Sequence, residues 1–263
     1  MESESRILIS GALYPTTFPW LGPFLIIILL SICLLLCGKD KARQTEKRTR
    51  KANELKAEND KLIAENEILK IEKELSDARC YRADVVLDPR TAHPKLKVSE
   101  DGKSVWNTGN VSKVSDWEER FDSHTFILAK CGFLEGRHYW EVEIDQKKTW
   151  DLGVASATAS RNGDISLSPK NYYWVIGCND GKDYRARTEQ WTSLKVNGKL
   201  TKLGIFLDKS AGSLSFYDVC SKRKLHTYKT LGVGELYPFF STGSVAAEQD
   251  SSPLRILPLN LED

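Results

Sequence analysis

The residue types that do most protein chemistry are present in this 263-residue chain, but not in working sets. Its four histidines, His93, His124, His138 and His226, fall in four separate stretches. No serine stands in a nucleophile elbow, no glycine-rich phosphate loop appears, and no pair of histidines has the spacing of metal ligands. The six cysteines, Cys33, Cys37, Cys80, Cys131, Cys178 and Cys220, form no CxxC pair and no Cys/His cluster at zinc spacing. We therefore expect no catalysis, no metal and no cofactor. Scattered cysteines fit a reducing compartment, with buried free thiols as the simplest state. What remains is the chemistry of recognition, where aromatic and arginine side chains dominate. Trp191 in a polar stretch, Arg161 and Asp164 around the Asn162-Gly163 turn, and Arg185 after the Asp180-Gly181 turn are candidate partner contacts. With 38 Lys and Arg against 36 Asp and Glu, the net charge of +2 argues against nucleic-acid binding by the whole chain.

These contacts must be carried by larger elements, and the first is a run of apolar residues from Phe18 to Cys37, uninterrupted from Phe24 to Leu30. About twenty helical residues span roughly 30 Å, the thickness of a bilayer's hydrocarbon core. The leader before it holds Glu2, Glu4 and a single Arg6, which is not the basic start of a signal peptide. Beyond it lie Lys39, Lys41, Arg43, Lys47, Arg48, Arg50 and Lys51 against Asp40 and Glu46. Basic flanks face the cytosol, so we expect one transmembrane helix over 18–38, residues 1–17 outside or luminal, and everything from Lys39 onward inside. The plasma membrane is the expected site. Tyr14, Phe18 and Trp20 would form the outer aromatic belt, and Cys37, at the inner edge, is a possible palmitoylation site.

From Lys39 to Arg79 there is no Gly or Pro, and Ala, Leu, Glu and Lys dominate, which predicts a juxtamembrane helix over 39–80. Leu55, Leu62 and Leu69 recur every seventh residue as d positions, with Ala52, Asn59 and Asn66 at a. Asn at a with Leu at d favours a weak, parallel, in-register homodimer, and a shared membrane raises the effective concentration of partners. After Leu69 the stripe shifts to Ile68, Ile71 and Leu75, so the heptads are few; a single charged helix is the alternative.

Past Tyr81 short apolar or alternating runs are punctuated by Asp101-Gly102, Asn162-Gly163, Asp180-Gly181 and Asn197-Gly198. Strands are expected at 85–87, 104–106, 125–128, 139–144, 150–155, 172–177, 203–207, 214–219 and 237–240. In the fourth, Trp140, Val142 and Ile144 alternate with Glu141 and Glu143, predicting one buried and one wet face. The expected class is mainly β, a sandwich over 81–263 preceded by the two helical segments.

Specific stretches resemble a known family. Leu87-Asp88-Pro89-Arg90-Thr91-Ala92-His93-Pro94-Lys95-Leu96 is similar to the opening of a PRY segment. Gly136-Arg137-His138-Tyr139-Trp140-Glu141-Val142-Glu143 and Trp150-Asp151-Leu152-Gly153-Val154 resemble the start of a SPRY domain. Leu207-Asp208, Gly212 to Val219, and Leu236-Tyr237-Pro238-Phe239-Phe240 resemble its later pieces, in order. The stretch from Leu167 to Trp174 is closest to the butyrophilin version. The resemblance implies a bent two-sheet β-sandwich whose loops at one end bind a protein or peptide. It identifies the chain as a butyrophilin-like membrane protein, without the immunoglobulin ectodomain, whose PRY-SPRY domain is related to tripartite-motif C-terminal domains. No RING ligands accompany the coiled coil, so ligase activity in this chain is not expected.

Some butyrophilins bind small pyrophosphates in a basic SPRY pocket. By motif, His138 and Arg185 stand where that pocket has a His and an Arg, but Asp151 replaces a second basic group, Asp164 an aromatic, Ser166 a Lys and Trp191 an Arg. Two carboxylates among so few cations disfavour a polyphosphate. The expected function is a membrane-anchored interaction module for a cytosolic protein or peptide in butyrophilin-type immune signalling, with His138, Asp151, Arg161, Asp164, Arg185 and Trp191 as contact candidates. The alternative is a substrate-recruiting subunit of a ubiquitin ligase whose RING comes from a partner.

Overall fold

A computed structural model describes residues 21–113, 119–243 and 252–258. The expected outer leader, with Tyr14, Phe18 and Trp20, lies outside the described residues. The chain divides into two compact units, Met1–Ala64 and Glu65–Asp263. Helix α1 spans Leu21–Arg79. In the first unit its described side chains are all exposed, and an apolar window of mean hydropathy 2.1 makes it long and apolar enough to cross a membrane by length and composition. Pro23 sits in the first turn, where a missing N–H breaks no helical bond. No Gly or Pro interrupts the helix after Gly38, and it closes in a tight turn, with the Tyr81 N–H donating to the Ala78 carbonyl at 2.9 Å.

The second unit is an antiparallel sandwich. One seven-stranded sheet runs β1-β2-β13-β4-β9-β10-β11 and the other, six-stranded, runs β3-β12-β5-β6-β7-β8. In chain order the strands are β1 (Leu96–Val98), β2 (Ser104–Asn107), β3 (Phe126–Leu128), β4 (Arg137–Glu143), β5 (Trp150–Ser156), β6 (Tyr173–Asn179), β7 (Asp183–Ala186), β8 (Thr192–Ser193), β9 (Lys202–Asp208), β10 (Ser213–Asp218), β11 (Arg223–Lys229), β12 (Leu236–Ser241) and β13 (Leu254–Ile256). Trp140, Val142, Ile205, Leu207 and Phe216 meet Leu152, Val154, Trp174, Ile176 and Phe240 in one buried core. At about 1.5–3 kcal/mol per fully buried large apolar side chain, this layer is the main favourable term. A second cluster, Phe121, Phe126, Leu128, Tyr173, Val175 and Phe239, is also buried. Phe126 and Phe239 meet edge-on, 4.9 Å apart. The Asp180-Gly181 dipeptide makes the expected tight hairpin between β6 and β7, with φ of 54° and 71°.

Three sequence expectations need correction. The segment 85–87 forms no strand; Leu87 makes a single bridge to Ala129. The supposedly wet face of β4 is covered: Glu141 is 7% exposed and Tyr139 is fully buried. The cover is the end of α1, where Ile71, Leu75 and Ala78 pack against Tyr139, Phe206 and Tyr217. Arg79 supplies the counter-charge at 3.2 Å from Glu141, and the Tyr139 hydroxyl donates to the same carboxylate at 2.8 Å. Burial, reinforced by Glu141, pushes the Tyr139 hydroxyl pKa up. Farther along, Lys224 pairs with Glu74 at 2.5 Å and Lys222 with Glu72. These part-exposed pairs are worth about 0–1 kcal/mol each, so the apolar stripe carries the docking. The third correction concerns the thiols. Cys178 is buried, whereas Cys33, Cys37, Cys80, Cys131 and Cys220 are exposed and unpaired by disulfide.

Candidate protein-binding cleft

Strand alternation puts Asp151 of β5 on the outer side of the six-stranded sheet, where the sheet's neighbours must neutralise it. Arg187, just past β7, does so: its Nε donates to Asp151 Oδ1 at 2.6 Å and its Nη2 to Asn179 Oδ1 at 3.0 Å. Both charged side chains are buried, Asp151 to 7% and Arg187 to 6% exposure. Burial pushes the Asp151 carboxyl up to about 6, with Arg187 pulling the other way. Gly177 of β6 makes room for the pair, since a Cβ there would stand 2.1 Å from Asp151 Oδ1.

Above the pair opens a cleft of ≈ 580 Å³. Its walls mix Phe126, Ile165, Leu167 and Trp191 with Ser123, Thr125, Thr149, Ser166 and Ser241. Trp191 is 47% exposed and held in the left-handed region at φ 48°. Its ring lies 4.6 Å from the Arg187 guanidinium carbon and 5.6 Å from that of Arg185, which makes it a braced aromatic edge. Arg185 is oriented by Asp183 at 2.8 Å.

Two histidines also line the cleft. His93 is buried, its Nδ1 accepts the Lys95 N–H at 3.1 Å, and its proton therefore sits on Nε2. Burial, with Lys95 nearby, holds its pKa below the ordinary imidazole value. His124 stacks on Phe126 at 4.9 Å, and its Nε2 accepts the Ile165 N–H at 2.9 Å. Asp164 Oδ1 is 3.3 Å from that same nitrogen, but its side chain is fully exposed. The ring nitrogen serves Ile165, and the Asp164 side chain faces solvent. The loop is further pinned by Gly163 N–H to Asp122 at 2.9 Å and Arg161 Nη1 to the Glu119 carbonyl at 3.0 Å.

Of the sequence candidates, Asp151 and Trp191 line the cleft, Arg185 braces Trp191, and Arg161 and Asp164 shape the adjoining loop. Asp151 is a buried ion-pair partner and not an open contact. His138 does not line the cleft: it is the second residue of β4 in the other sheet, stacks on Phe133 at 3.8 Å and lies 2.8 Å from the Glu135 carbonyl. Its aromatic neighbour and a local carbonyl account for it structurally. Sequence reasoning missed His93, His124, Asn179 and Arg187. Only Arg187 left a signal, two residues after Arg185 and hence on the same side of an extended chain. Among the described residues no group of three His, Cys, Asp or Glu is placed to hold a metal ion.

The two family models that match are the SPRY-associated domain, over residues 85–133, and the SPRY domain, over 137–252. Human pyrin is 37% identical over 187 residues, covering 71% of this chain and 24% of pyrin. Butyrophilin subfamily 2 member A2 of Mus musculus is 34% identical and covers 98% of this chain and 49% of its own length. Tripartite motif-containing protein 72 of Xenopus laevis is 39% identical, covering 66% of this chain and 37% of that protein. The chain thus spans less than half the length of these curated relatives. Among solved structures, stonustoxin superposes with a TM-score of 0.60 at 32% identity, over 67% of this chain and 29% of that one. The TRIM65 PSpry domain superposes at 0.59 with 21% identity, over 70% and 94%, and shares the fold.

Proposed function

Because its residues 85–252 belong to the PRY-SPRY family of protein-interaction domains, homologous to those of butyrophilins and tripartite-motif proteins, we propose that this chain is a membrane-anchored reader of a cytosolic protein. The observation that carries the reading is the cleft at Trp191. Its floor charge is neutralised internally by Asp151 and Arg187, and its walls offer apolar surface and uncharged hydroxyls beside one lysine, Lys95. Such a lining suits a peptide segment, whose backbone and apolar side chains need both, better than a pyrophosphate, which needs unpaired cations. The apolar stretch of α1 is the proposed single span, with the basic flank from Lys39 to Lys51 on the cytosolic side of the plasma membrane. Similarity to a butyrophilin over 98% of this chain and 49% of that protein supports that arrangement, and a role in butyrophilin-type immune signalling is what the resemblance implies. Cys37, exposed at the inner end of the apolar stretch, is the proposed acylation site, and Leu55, Asn59, Leu62, Asn66 and Leu69 the proposed dimer seam.

The test is proximity labelling from the C-terminus in intact cells, comparing wild type with W191A. Cytosolic proteins captured by the wild type and lost from W191A support the reading; identical capture by both refutes the cleft assignment. Orientation is read separately at the exposed Asn110-Val111-Ser112 sequon, where a glycosidase-sensitive mass shift would place the sandwich in the lumen.

A further inference from the structure

We infer that Asn197 is a site of spontaneous deamidation in the folded chain, and that Asn162, which stands in the same dipeptide beside the cleft, is shielded from it by the Asp122 carboxylate. Both asparagines precede a glycine, are exposed and lie outside the strands. Glycine makes such a bond labile because no Cβ keeps its backbone nitrogen from the preceding side-chain carbonyl. The two dipeptides form a matched pair. Gly163 and Gly198 both stand in the left-handed region, at φ 75° and 78°, and a Cβ on either would meet nothing within 4 Å. What differs is the glycine N–H. That of Gly163 donates to Asp122 Oδ1 at 2.9 Å, whereas among the described residues nothing accepts that of Gly198. The two Asp-Gly turns resemble the first case, since the Gly102 N–H donates to the Ser99 carbonyl at 2.9 Å and the Gly181 N–H to the Lys148 carbonyl at 2.8 Å. Past Gly198 the chain is next held by Lys199 Nζ on Gln146 at 2.8 Å and by the Leu200 N–H on the Tyr184 hydroxyl at 3.2 Å.

The chemistry explains why that one N–H decides. The glycine nitrogen must lose its proton and attack the asparagine side-chain carbonyl carbon. A C–N bond forms, the bond to the side-chain nitrogen breaks, and that nitrogen takes up a proton and leaves as ammonia. Water then opens the resulting succinimide at either carbonyl, giving aspartate or isoaspartate, with no oxidant or reductant involved. A carboxylate that accepts the Gly163 N–H holds the nitrogen away from Asn162, and its negative charge opposes loss of the proton. Ser123 and that same N–H hold the Asp122 carboxyl below the usual carboxylate range, so it is ionised at neutral pH. Deamidation of Asn162 would add a carboxylate close to Asp164, so Asp122 preserves the charge of the loop that adjoins the cleft. At Asn197 the reaction places a new negative charge on the loop 194–201 between β8 and β9. In the isoaspartate form an α-carboxylate is left free on the main chain, and this group is an acceptor for methyl transfer from S-adenosylmethionine by repair enzymes.

The test incubates the full chain in detergent at neutral pH, folded or in urea, and counts the acid forms at both sites by peptide mass mapping. Labelled methyl transfer identifies the isoaspartate. In the folded chain Asn197 converts at least about tenfold faster than Asn162, the rate equivalent of one hydrogen bond to a charged acceptor. In urea, where Asp122 holds nothing, the two rates converge. D122A brings Asn162 up to the rate of Asn197 and leaves Asn197 unchanged, and N197Q removes the faster signal. Equal rates in the folded chain, a slower Asn197, or a D122A chain that keeps its urea midpoint and its slow Asn162 would each overturn the inference. A tenfold gap that persists in urea overturns it as well, because the local sequence would then set both rates, and that comparison needs no variant.

Discussion

Replacing Arg187 by methionine tests whether the cleft floor is a buried ion pair. The substitution keeps most of the side-chain volume and removes the guanidinium that meets Asp151 at 2.6 Å. With both partners at least nine-tenths buried, the orphaned carboxylate is largely withheld from solvent. Breaking such a pair from one side costs about 3–5 kcal/mol. Asp151 has a partial escape, because burial already raises its pKa to about 6 and Arg187 is what opposes a further rise. In R187M the carboxyl titrates higher still, against an ordinary carboxylate value in the unfolded chain. Between those two values the native state holds one more proton than the unfolded state. Stability of R187M therefore falls as pH rises, by about 1.4 kcal/mol per unit. Lowering the pH from 8 to 6 returns up to about 2.7 kcal/mol to the variant. The wild-type pair changes less over that interval, since most of its own loss occurs as pH rises to about 6. Urea titrations followed by tryptophan fluorescence at several pH values read both quantities, and D151N/R187M removes the pH slope. A loss below about 1 kcal/mol with no pH dependence would show that the pair is not the buried charge argued here.

Other substitutions separate the remaining features. W191A weakens partner binding by at least about 2 kcal/mol, roughly thirtyfold, while moving the unfolding free energy by less than about 1 kcal/mol; calorimetric titration and urea melts measure the two. L75A removes a buried contact worth about 2–5 kcal/mol, seen as faster amide exchange across residues 71–79, and L69A leaves those amides unchanged. His226 is half-buried and its pKa is held below the imidazole norm by that burial, so its contribution is present above about pH 6.5 and lost as pH falls through the native value. H226Q accordingly narrows the gap between urea midpoints at pH 7.5 and 5.5, with His93, shifted the same way, keeping the rest of the slope.

How much of this was legible in the sequence depends on how local each signal is. Strands with a continuous apolar run, such as β5 and β6, were found to within a residue or two because burial on both faces leaves a compositional trace. The strands that escaped are short or charged. Strand β11 carries Arg223, Lys224 and Lys229 at a sheet edge, where cations discourage pairing with other chains but mask the strand pattern. Glu141 was read as wet because alternation reports the sheet alone, and the cover came from helical residues more than sixty positions earlier. The cleft was half legible. Trp191 and the Asn162-Gly163 loop stand out by type, but the Asp151–Arg187 pair joins residues 36 apart in sequence, and pairing of that kind is decided by strand order.

That pair has an evolutionary consequence. Gly177 leaves room for the carboxylate, and the carboxylate, with Asn179, holds Arg187 at the floor of the cleft. Exchanging Asp151 for a small neutral residue, a single substitution, would leave the guanidinium facing a cavity already edged by His93, Lys95 and His124. A scaffold so arranged lies one step from accepting anions, and its descendants can trade one class of ligand for another while every strand stays where it is.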